Sequence, residues 1–308
     1  MGVFCKGTRG GWEKYANGPL LGGQYGTCFD VSVLTEGDEL WMYFSWRDCH
    51  SIARVTSRDG IHWTEPVICL EPRVTPEGWE NAINRPYVLR WKNQYHMWYT
   101  GQLIVDEGRG EGGCSHIFYA VSDDGIHFRR AANTPVLSPQ APWEKNSVMN
   151  PTVLWNAEAR LLKMWYSGGE QYEPDAFGYA TSPDGVHWTK WDANPIFGAN
   201  PQLPWEQAKV GGCQMLYEDG WYRMFYIGYE NVDYAQIGMA RSRDGITNWE
   251  RSPPTPIIAP SEDGWDAEAC YKPFAVRRKD GWWLWYNGRR GKHEQIGLSI
   301  QPGEELRF

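Results

Sequence analysis

Short runs of apolar and aromatic residues alternate with polar turns along the chain. One stretch shows the order: Pro86–Arg90, a turn, Tyr95–Thr100, a loop, Ile117–Val121, a second turn and a last segment near Thr134–Leu137. Short segments of this composition, bounded by turn residues, are typical of β-strands. No long stretch carries the 3.6-residue apolar period of an amphipathic helix. The pattern predicts an all-β protein with four short strands in each repeated unit.

One turn phrase recurs four times. Its copies are S-R-D-G-I-H-W (57–63), S-D-D-G-I-H-F (122–128), S-P-D-G-V-H-W (182–188) and S-R-D-G-I-T-N-W (242–249). A spacing of about 60 residues indicates stacked or radially arranged units, and four-stranded units around an axis form a β-propeller. Gly permits positive φ in such a turn, and Asp and Ser can bond nearby backbone N–H groups. We therefore interpret the phrase as structural. The histidines share one turn position and are not expected to form a metal cluster.

Five segments align as the inner strands of these units: Val31–Leu34, Pro86–Arg90, Thr152–Trp155, Gln214–Tyr217 and Phe274–Arg277. The blades span approximately residues 24–72, 79–138, 143–198, 205–259 and 265–300. The fifth unit lacks the turn phrase and a final strand, but Gly11–Leu21 resembles the outer strand Trp188–Phe197. The prediction is one domain over residues 1–308, a five-bladed β-propeller of antiparallel blades. The N-terminal segment (11–21) supplies the outer strand of blade five and closes the ring.

Two sets of aligned polar positions differ in their variability. A carboxylate follows Trp at Glu80, Glu144, Glu206 and Asp266, and this regularity suggests a repeat element. The position that opens each inner strand instead holds Asp30, Arg85, Asn150, Gly212 and Lys272. These side chains are expected to line the central funnel of a propeller. Asp30 is the strongest candidate, because a carboxylate among apolar neighbours needs a partner, which Arg85 or Lys272 can supply. An ion pair that only joins blades is the alternative.

The connections between second and third strands are irregular and open on the same predicted face. They carry Asp48, His50, Asp106, Glu107, Glu111, Glu170, Glu173, Asp175, Glu230, Asp233, Arg289, Arg290 and His293. Variable loops on a repeated scaffold often carry function. The aromatic residues near the presumed mouth are Tyr25, Trp46, Trp79 and Trp143, which could stack on sugar faces or pack between blades.

Composition narrows the possible partners. The formal net charge of −8 argues against nucleic acid, whose binding needs a basic face. No apolar run approaches the roughly 18 residues that span a membrane. The seven Cys show no C-x-x-C spacing and are expected to be reduced and mostly buried. With no apolar signal region at the N-terminus, a cytoplasmic location is expected. No metal or cofactor is called for by these residues.

The chain resembles the five-bladed β-propeller glycoside hydrolases, the broad group around families 43, 32, 68, 117 and 130. The features that carry the resemblance are the predicted blades, the S-x-D-G-x-x-W turns, M-W-Y-S-G-G-E (164–170) and the carboxylate opening the first inner strand. The resemblance implies that Asp30 acts as base or nucleophile. The group usually has a second-blade Asp before Pro and a third-blade Glu. Here those places hold Arg85 and Asn150.

The leading hypothesis is hydrolysis of a small oligosaccharide or terminal sugar, with a loop Glu as the acid partner of Asp30. The candidates for that acid, in order, are Glu170, Glu230 and Glu268. The candidates for substrate binding are Arg85, Asn150, Lys272, Trp46, Asp48, His50, Trp79, Arg289 and His293.

Two alternatives stay open. A phosphorylase would bind phosphate at Arg85 and Lys272, with Arg289, Arg290 and His293 nearby, and would need only one protein carboxylate. A non-catalytic glycan-binding propeller is suggested by the missing carboxylates. All three hypotheses share a small carbohydrate as the ligand.

Overall fold

The structure is a computed structural model that describes residues 3–4, 10–105, 112–172, 174–252 and 255–308. Its strands in these ranges are β1 (Val3–Phe4), β2 (Glu13–Lys14), β3 (Cys28–Glu36), β4 (Glu39–Trp46), β5 (Ser51–Ser57), β6 (Val67–Leu70), β7 (Ala82–Trp91), β8 (Gln94–Leu103), β9 (Cys114–Ser122), β10 (Arg129–Arg130), β11 (Ser147–Asn156), β12 (Leu161–Gly169), β13 (Pro174–Ser182), β14 (Thr189–Lys190), β15 (Phe197–Gly198), β16 (Lys209–Glu218), β17 (Trp221–Tyr229), β18 (Ala235–Ser242), β19 (Glu250–Arg251), β20 (Ala269–Arg278), β21 (Gly281–Arg290) and β22 (His293–Pro302).

Helical structure within those ranges is limited to three 3-10 turns, Arg47–Cys49, Pro142–Glu144 and Pro204–Glu206. None of the described helices has the length and apolar character needed to cross a membrane. The prediction of an all-β protein is confirmed.

The chain divides into two compact units, one formed by Ser32–Phe197 and the other by Met1–Val31 with Gly198–Phe308. The boundary between the units falls inside β3, after Val31. The part of β3 in the Ser32–Phe197 unit belongs to an antiparallel sheet of order β3-β4-β5-β6. A second sheet has the order β14-β13-β12-β11-β9-β8-β7, with β10 beside β9. It joins two antiparallel meanders, β7–β10 and β11–β14, through one parallel contact between Ser115 and Ser147. We call each four-stranded meander a module.

The other unit is built on one sheet of order β1-β2-β22-β21-β20-β18-β17-β16, with β19 beside β18. It contains the module β16–β19 and a last module formed by β20, β21, β22 and β2. Glu13 and Lys14 of β2 pair with Ile300 and Ser299 of β22, so the N-terminal segment does supply a fourth strand there. None of the sheets formed by the described residues is closed on itself. The five-blade count and the closure of a ring remain predictions.

The recurring turn phrase has one hydrogen-bond pattern. In the copy at residues 122–128, Ser122 Oγ accepts from Gly125 N–H at 2.9 Å, and Asp124 Oδ1 accepts from the N–H of Ile126 and His127. Gly125 has φ +71°, a conformation that glycine adopts without a side-chain penalty. The His127 imidazole, 2.6 Å from Asp124, and the backbone N–H groups hold the pKa of Asp124 well below its usual range. The phrase therefore stabilises its own turn through local hydrogen bonds, in agreement with its interpretation as structural.

The repeated carboxylates form a second regular element, which we call the carboxylate clamp. In each clamp a buried carboxylate accepts a hydrogen bond from a tyrosine of the second strand and pairs with a Lys or Arg of the outer strand. The four sets are Glu80 with Tyr99 and Arg130, Glu144 with Tyr166 and Lys190, Glu206 with Tyr226 and Arg251, and Asp266 with Tyr286 and Lys14. The interpretation of these carboxylates as a repeat element agrees with this geometry.

The last clamp takes its cation from the N-terminal segment. Lys14 Nζ lies 2.6 Å from Asp266 Oδ2, and the two side chains are 7% and 1% exposed. Trp12, two residues earlier, is fully buried and meets Phe225 edge to face at 6.1 Å. Burying a side chain such as Phe225 stabilises by roughly 1.5–3 kcal/mol, so the segment contributes both charge and core to its unit.

Candidate functional site

The five positions that differ among the repeats share one backbone conformation. The φ values are +59° at Asp30, +52° at Arg85, +55° at Asn150, +32° at Gly212 and +52° at Lys272. In β7, β11, β16 and β20 this position lies in a register shift against the second strand of its module. A bulge re-aims one side chain out of the strand's alternation and is frequent beside active sites. We call these the bulge positions.

The long side chains of Arg85 and Lys272 are strained at their bulge positions, whereas Asp30 and Asn150 are residue types that adopt positive φ more readily. Positive φ is uncommon outside glycine and is a marked outlier for long side chains such as Arg and Lys. A residue held in this region costs on the order of 1–3 kcal/mol unless its surroundings impose it. Glycine at every bulge would avoid this cost, as Gly212 does. The strained side chains therefore motivate a functional hypothesis.

Asp30 is nearly buried, with 4% of its surface exposed. Its backbone N–H donates to Asn287 Oδ1 on β21 at 3.1 Å, and Asn287 is fully buried. The side-chain acceptor fixes the backbone from which the carboxylate projects.

Lys272 opens the inner strand of the last module in the same unit and is 7% exposed. Burial raises the pKa of the neighbouring Cys213 thiol to about 12, and the Lys272 charge opposes that shift. The preceding residue, Tyr271, donates its phenol to the carboxylate of Glu294 on β22. A second buried lysine, Lys209 at the start of β16, is also 7% exposed, and its ammonium lies 4.5 Å from the centre of the Tyr229 ring. This unit therefore brings cations into its interior.

Glu268 and Arg289, both predicted site residues, come together in this unit. Glu268 Oε2 accepts the backbone N–H of Gly291 at 3.0 Å and lies 3.9 Å from the Arg289 guanidinium. Arg289 also donates to the backbone oxygen of Asp233 at 2.7 Å. His293, at the start of β22, is exposed.

Glu230 is exposed in the loop after β17, where its N–H donates to the Tyr234 carbonyl at 3.1 Å. The fold leaves its side chain at the surface.

In the Ser32–Phe197 unit, Arg85 ends a buried polar chain. Its N–H donates to Ser45 Oγ at 2.8 Å, and its guanidinium donates to Asn84 Oδ1 at 3.1 Å. Asn84 in turn donates to Gln102 at 2.5 Å, and Gln102 donates to Ser115 at 3.1 Å. The network holds the guanidinium at one end and therefore limits its freedom before any ligand binds.

Asn150 has a similar support. Its N–H donates to Thr100 Oγ1 at 3.3 Å and its Nδ2 to Ser167 Oγ at 3.2 Å. The side-chain oxygen Oδ1 is buried and has no partner among the described residues. This oxygen is a ready acceptor for a hydroxyl group, which fits the predicted role in substrate binding.

Of the remaining predicted residues of this unit, some pack against other side chains and some lie at the surface. Trp46 is half-buried against Phe44, with ring centres 6.4 Å apart, and precedes the 3-10 turn that carries exposed Asp48. His50 ends that turn with φ +50°. Trp79 packs on His116 with ring centres 4.7 Å apart, so one of its faces is occupied by the protein.

Glu170, the first-ranked acid, is 60% exposed and lies 3.4 Å from Lys145 Nζ. The same ammonium lies 2.7 Å from Asp175. The loop candidates Asp106, Glu107, Glu111 and Glu173 lie outside the described residues. The roles assigned to all the predicted site residues remain predictions.

Sequence reasoning missed the residues that support the bulge positions. Ser45, Thr100 and Asn287 each follow an aromatic residue near the end of a second strand, in F-S-W, Y-T-G and Y-N-G. Aligning the second strands as well as the inner ones would have singled them out.

The comparisons with known proteins identify the class. Residues 39–206 match the family model described as "Glycosyl hydrolases family 32 N-terminal domain". This match covers more than half of the 308 residues, and the chain belongs to that family. The resemblance to the broad group of propeller glycoside hydrolases is confirmed.

The individual relatives have moderate sequence identity to this chain. The chain is 28% identical over 280 residues to "Uncharacterized protein MT1551" of Mycobacterium tuberculosis, covering 86% of this chain and 89% of that protein. It is 29% identical over 138 residues to the beta-1,2-mannobiose phosphorylase of Thermoanaerobacter sp., covering 39% of this chain and 44% of the relative. The solved beta-1,2-mannobiose phosphorylase from Listeria innocua superimposes with a TM-score of 0.70 at 13% identity, over 94% of this chain and 96% of that one. The structural likeness shows the fold alone. The similarities therefore extend to phosphorylases as well as to the hydrolase family whose model matches.

Proposed function

We propose that the protein hydrolyses the glycosidic bond of a small oligosaccharide or of a terminal sugar, with Asp30 as base or nucleophile. The observation that carries the proposal is the state of Asp30. Asp30 is nearly buried and has a left-handed backbone conformation, its backbone N–H donates to the Asn287 side chain, and the chain belongs to a glycosyl hydrolase family. A preorganised carboxylate can act on an anomeric carbon or activate water with little further ordering.

Hydrolysis also requires an acid that protonates the leaving oxygen. The candidates remain the loop residues Glu170, Glu230 and Glu268, all of which are exposed. Glu268 already accepts a backbone N–H and lies near a guanidinium, and Glu170 lies near an ammonium. Among the described residues no lysine or arginine pairs with Glu230, whose charge instead acts on the Tyr234 phenol and adds to burial in raising the pKa of that group. Glu230 is therefore the loop carboxylate whose interactions compete least with proton donation.

The experiment is a hydrolysis assay of purified protein on a panel of aryl glycosides and small oligosaccharides. Asp30→Asn should lower kcat/KM by roughly 10²–10⁴. Asp38→Asn, an exposed aspartate of the β3–β4 turn, is the matched control and should retain wild-type rates. Full activity of Asp30→Asn on every cleaved substrate would overturn the proposal, and binding without cleavage would support a glycan-binding module instead.

Glu170→Gln, Glu230→Gln and Glu268→Gln then identify the acid. The variant that loses the acid should fail on substrates with poor leaving groups and retain activity on those with good ones, because only the former need protonation. If all three variants behave as the wild type, the acid lies elsewhere and this part of the proposal fails.

Phosphorolysis is the second candidate, favoured by nearly buried Lys272 and by the similarity to a phosphorylase. In that reaction a phosphate oxygen attacks the anomeric carbon, the glycosidic C–O bond breaks, and the leaving oxygen takes a proton from a carboxylic acid. A lysine ammonium would bind the phosphate as a point charge. Turnover that requires inorganic phosphate and yields a sugar 1-phosphate would establish it, with Lys272→Met raising KM for phosphate. Equal turnover without phosphate would exclude it.

A further inference from the structure

Three of the five bulge residues share a mode of support that extends the site. The N–H of Arg85 donates to Ser45, that of Asn150 to Thr100, and that of Asp30 to Asn287. In each case the acceptor is a side chain in the second strand of another module. It occupies the same place in that strand, directly after the aromatic residue Phe44, Tyr99 or Tyr286.

Asn287 differs in side-chain chemistry from the residues at the aligned positions of the other modules. The aligned positions of the other second strands hold Ser45, Thr100, Ser167 and Ile227. A hydroxyl accepts one N–H, which is all that the bulge requires. An amide adds two N–H donors on Nδ2, and at Asn287 this atom is buried with no hydrogen-bond partner among the described residues.

A buried donor without a partner is unfavourable and rare, so its presence calls for an explanation. A hydroxyl here would give the same backbone support without the unpaired donor. The amide stands beside Asp30, the bulge residue that carries a carboxylate. The extra donor is therefore found where the reaction is proposed to occur.

We propose that Asn287 is a further residue of the site, with a separate task for each end of its amide. Oδ1 positions Asp30 by holding its N–H, and Nδ2 donates to an oxygen bound next to Asp30, a sugar hydroxyl of the substrate. This inference rests on the proposed glycoside-cleaving function. It makes Asn287 a positioning residue through one atom and a substrate-binding residue through the other.

Two substitutions separate the two atoms. Asn287→Leu removes the acceptor and the donors, and should lower kcat about 100-fold because a misplaced carboxylate loses its alignment. Asn287→Ser keeps an acceptor of the kind used by Ser45. It should leave kcat within about tenfold of the wild type but raise KM roughly three- to tenfold, the effect of one lost hydrogen bond to the ligand.

The split between kcat and KM distinguishes this role from packing. If Asn287 only supports the fold, both variants will lose activity in proportion to their folded fraction, measured by near-ultraviolet circular dichroism, with KM unchanged. Ile227→Val, at the aligned position of the neighbouring module, is the matched control and should alter neither constant. Wild-type constants in Asn287→Leu, or an equal loss of kcat in both variants, would overturn the inference.

Asp30→Asn is assayed in parallel so that the two proposals fail separately. If Asp30→Asn is inactive while Asn287→Leu has wild-type kinetics, the inference about Asn287 alone is wrong. If Asp30→Asn is fully active, the proposed function is wrong.

Discussion

The carboxylate clamps and the bulge positions are two sets of aligned sites in the same modules, and they differ in what is held constant. In the clamps the chemistry repeats: a carboxylate, a tyrosine and a cation recur four times in the described chain. At the bulges the backbone repeats, with positive φ throughout, while the side chain changes from Asp to Arg, Asn, Gly and Lys. A repeated scaffold can thus use one set of aligned sites to stabilise its modules, while the side chains at another set vary and can bind or react with a ligand. The two sets should respond differently to mutation.

The largest loss of stability is expected on breaking a clamp. Glu144→Gln leaves Lys190, whose side chain is 15% exposed, without its carboxylate. Removing one partner of a buried ion pair costs about 3–5 kcal/mol. Thermal denaturation should show Tm lowered by roughly 10 °C. Glu158→Gln, an exposed glutamate between β11 and β12, is the control, and a Tm equal to the wild type in Glu144→Gln would contradict the role of the clamp.

A smaller loss of stability is expected at Gly228, where the absence of a side chain leaves room for the ring of Trp205. A Cβ at Gly228 would lie 2.3 Å from the ring of Trp205, beside the Glu206 clamp. Gly228→Ala should therefore destabilise by about 1–3 kcal/mol through overpacking. At Gly198 a Cβ meets nothing within 4 Å, so Gly198→Ala is the matched control. Equal denaturation midpoints for the two variants would show that the tryptophan moves freely.

The buried imidazole of His116 packs on Trp79, the residue before the clamp carboxylate Glu80. This imidazole should make the stability of the fold depend on pH. Burial lowers the pKa of His116 to about 4, against about 6.5 in an unfolded chain. The unfolded state binds the proton first, so the His116 contribution is full above pH 6.5 and is lost as pH falls towards 4. His116→Phe should reduce this acid loss by on the order of 2 kcal/mol. Urea denaturation between pH 7 and 4 measures it, with exposed His62→Phe as control; unchanged acid sensitivity would contradict it.

The smallest effect on stability is expected at a bulge. Glycine adopts φ +52° without strain, so Arg85→Gly should alter stability by no more than about 1 kcal/mol. Activity should nevertheless fall, because the guanidinium is lost. Arg160→Gly is the matched control, since this exposed turn residue has φ +51°. A large stability loss in Arg85→Gly alone would assign the bulge arginine to the scaffold.

The sequence predicted those features whose causes are local or repeated. Strand segments and Asp-Gly turns follow from patterning and turn chemistry within a few residues. The clamp carboxylates and the bulge positions could be aligned because they recur. The pairing of Asp30 with Asn287 could not be predicted this way, because 257 residues separate them and no local pattern marks the amide. The acid partner likewise depends on loop geometry, which for Glu170, Glu230 and Glu268 no periodicity encodes.

The pairing of Lys14 with Asp266 has a consequence for the order of events in the living cell. These residues are 252 positions apart, so the ribosome makes the lysine long before its partner. At about 5–20 residues per second, the segment waits roughly 13–50 s for the strands that will cover it. During that interval Trp12 lacks the neighbours that bury it in the finished protein. The N-terminal segment therefore gains its ion pair and its strand partner only after the last module has been synthesised.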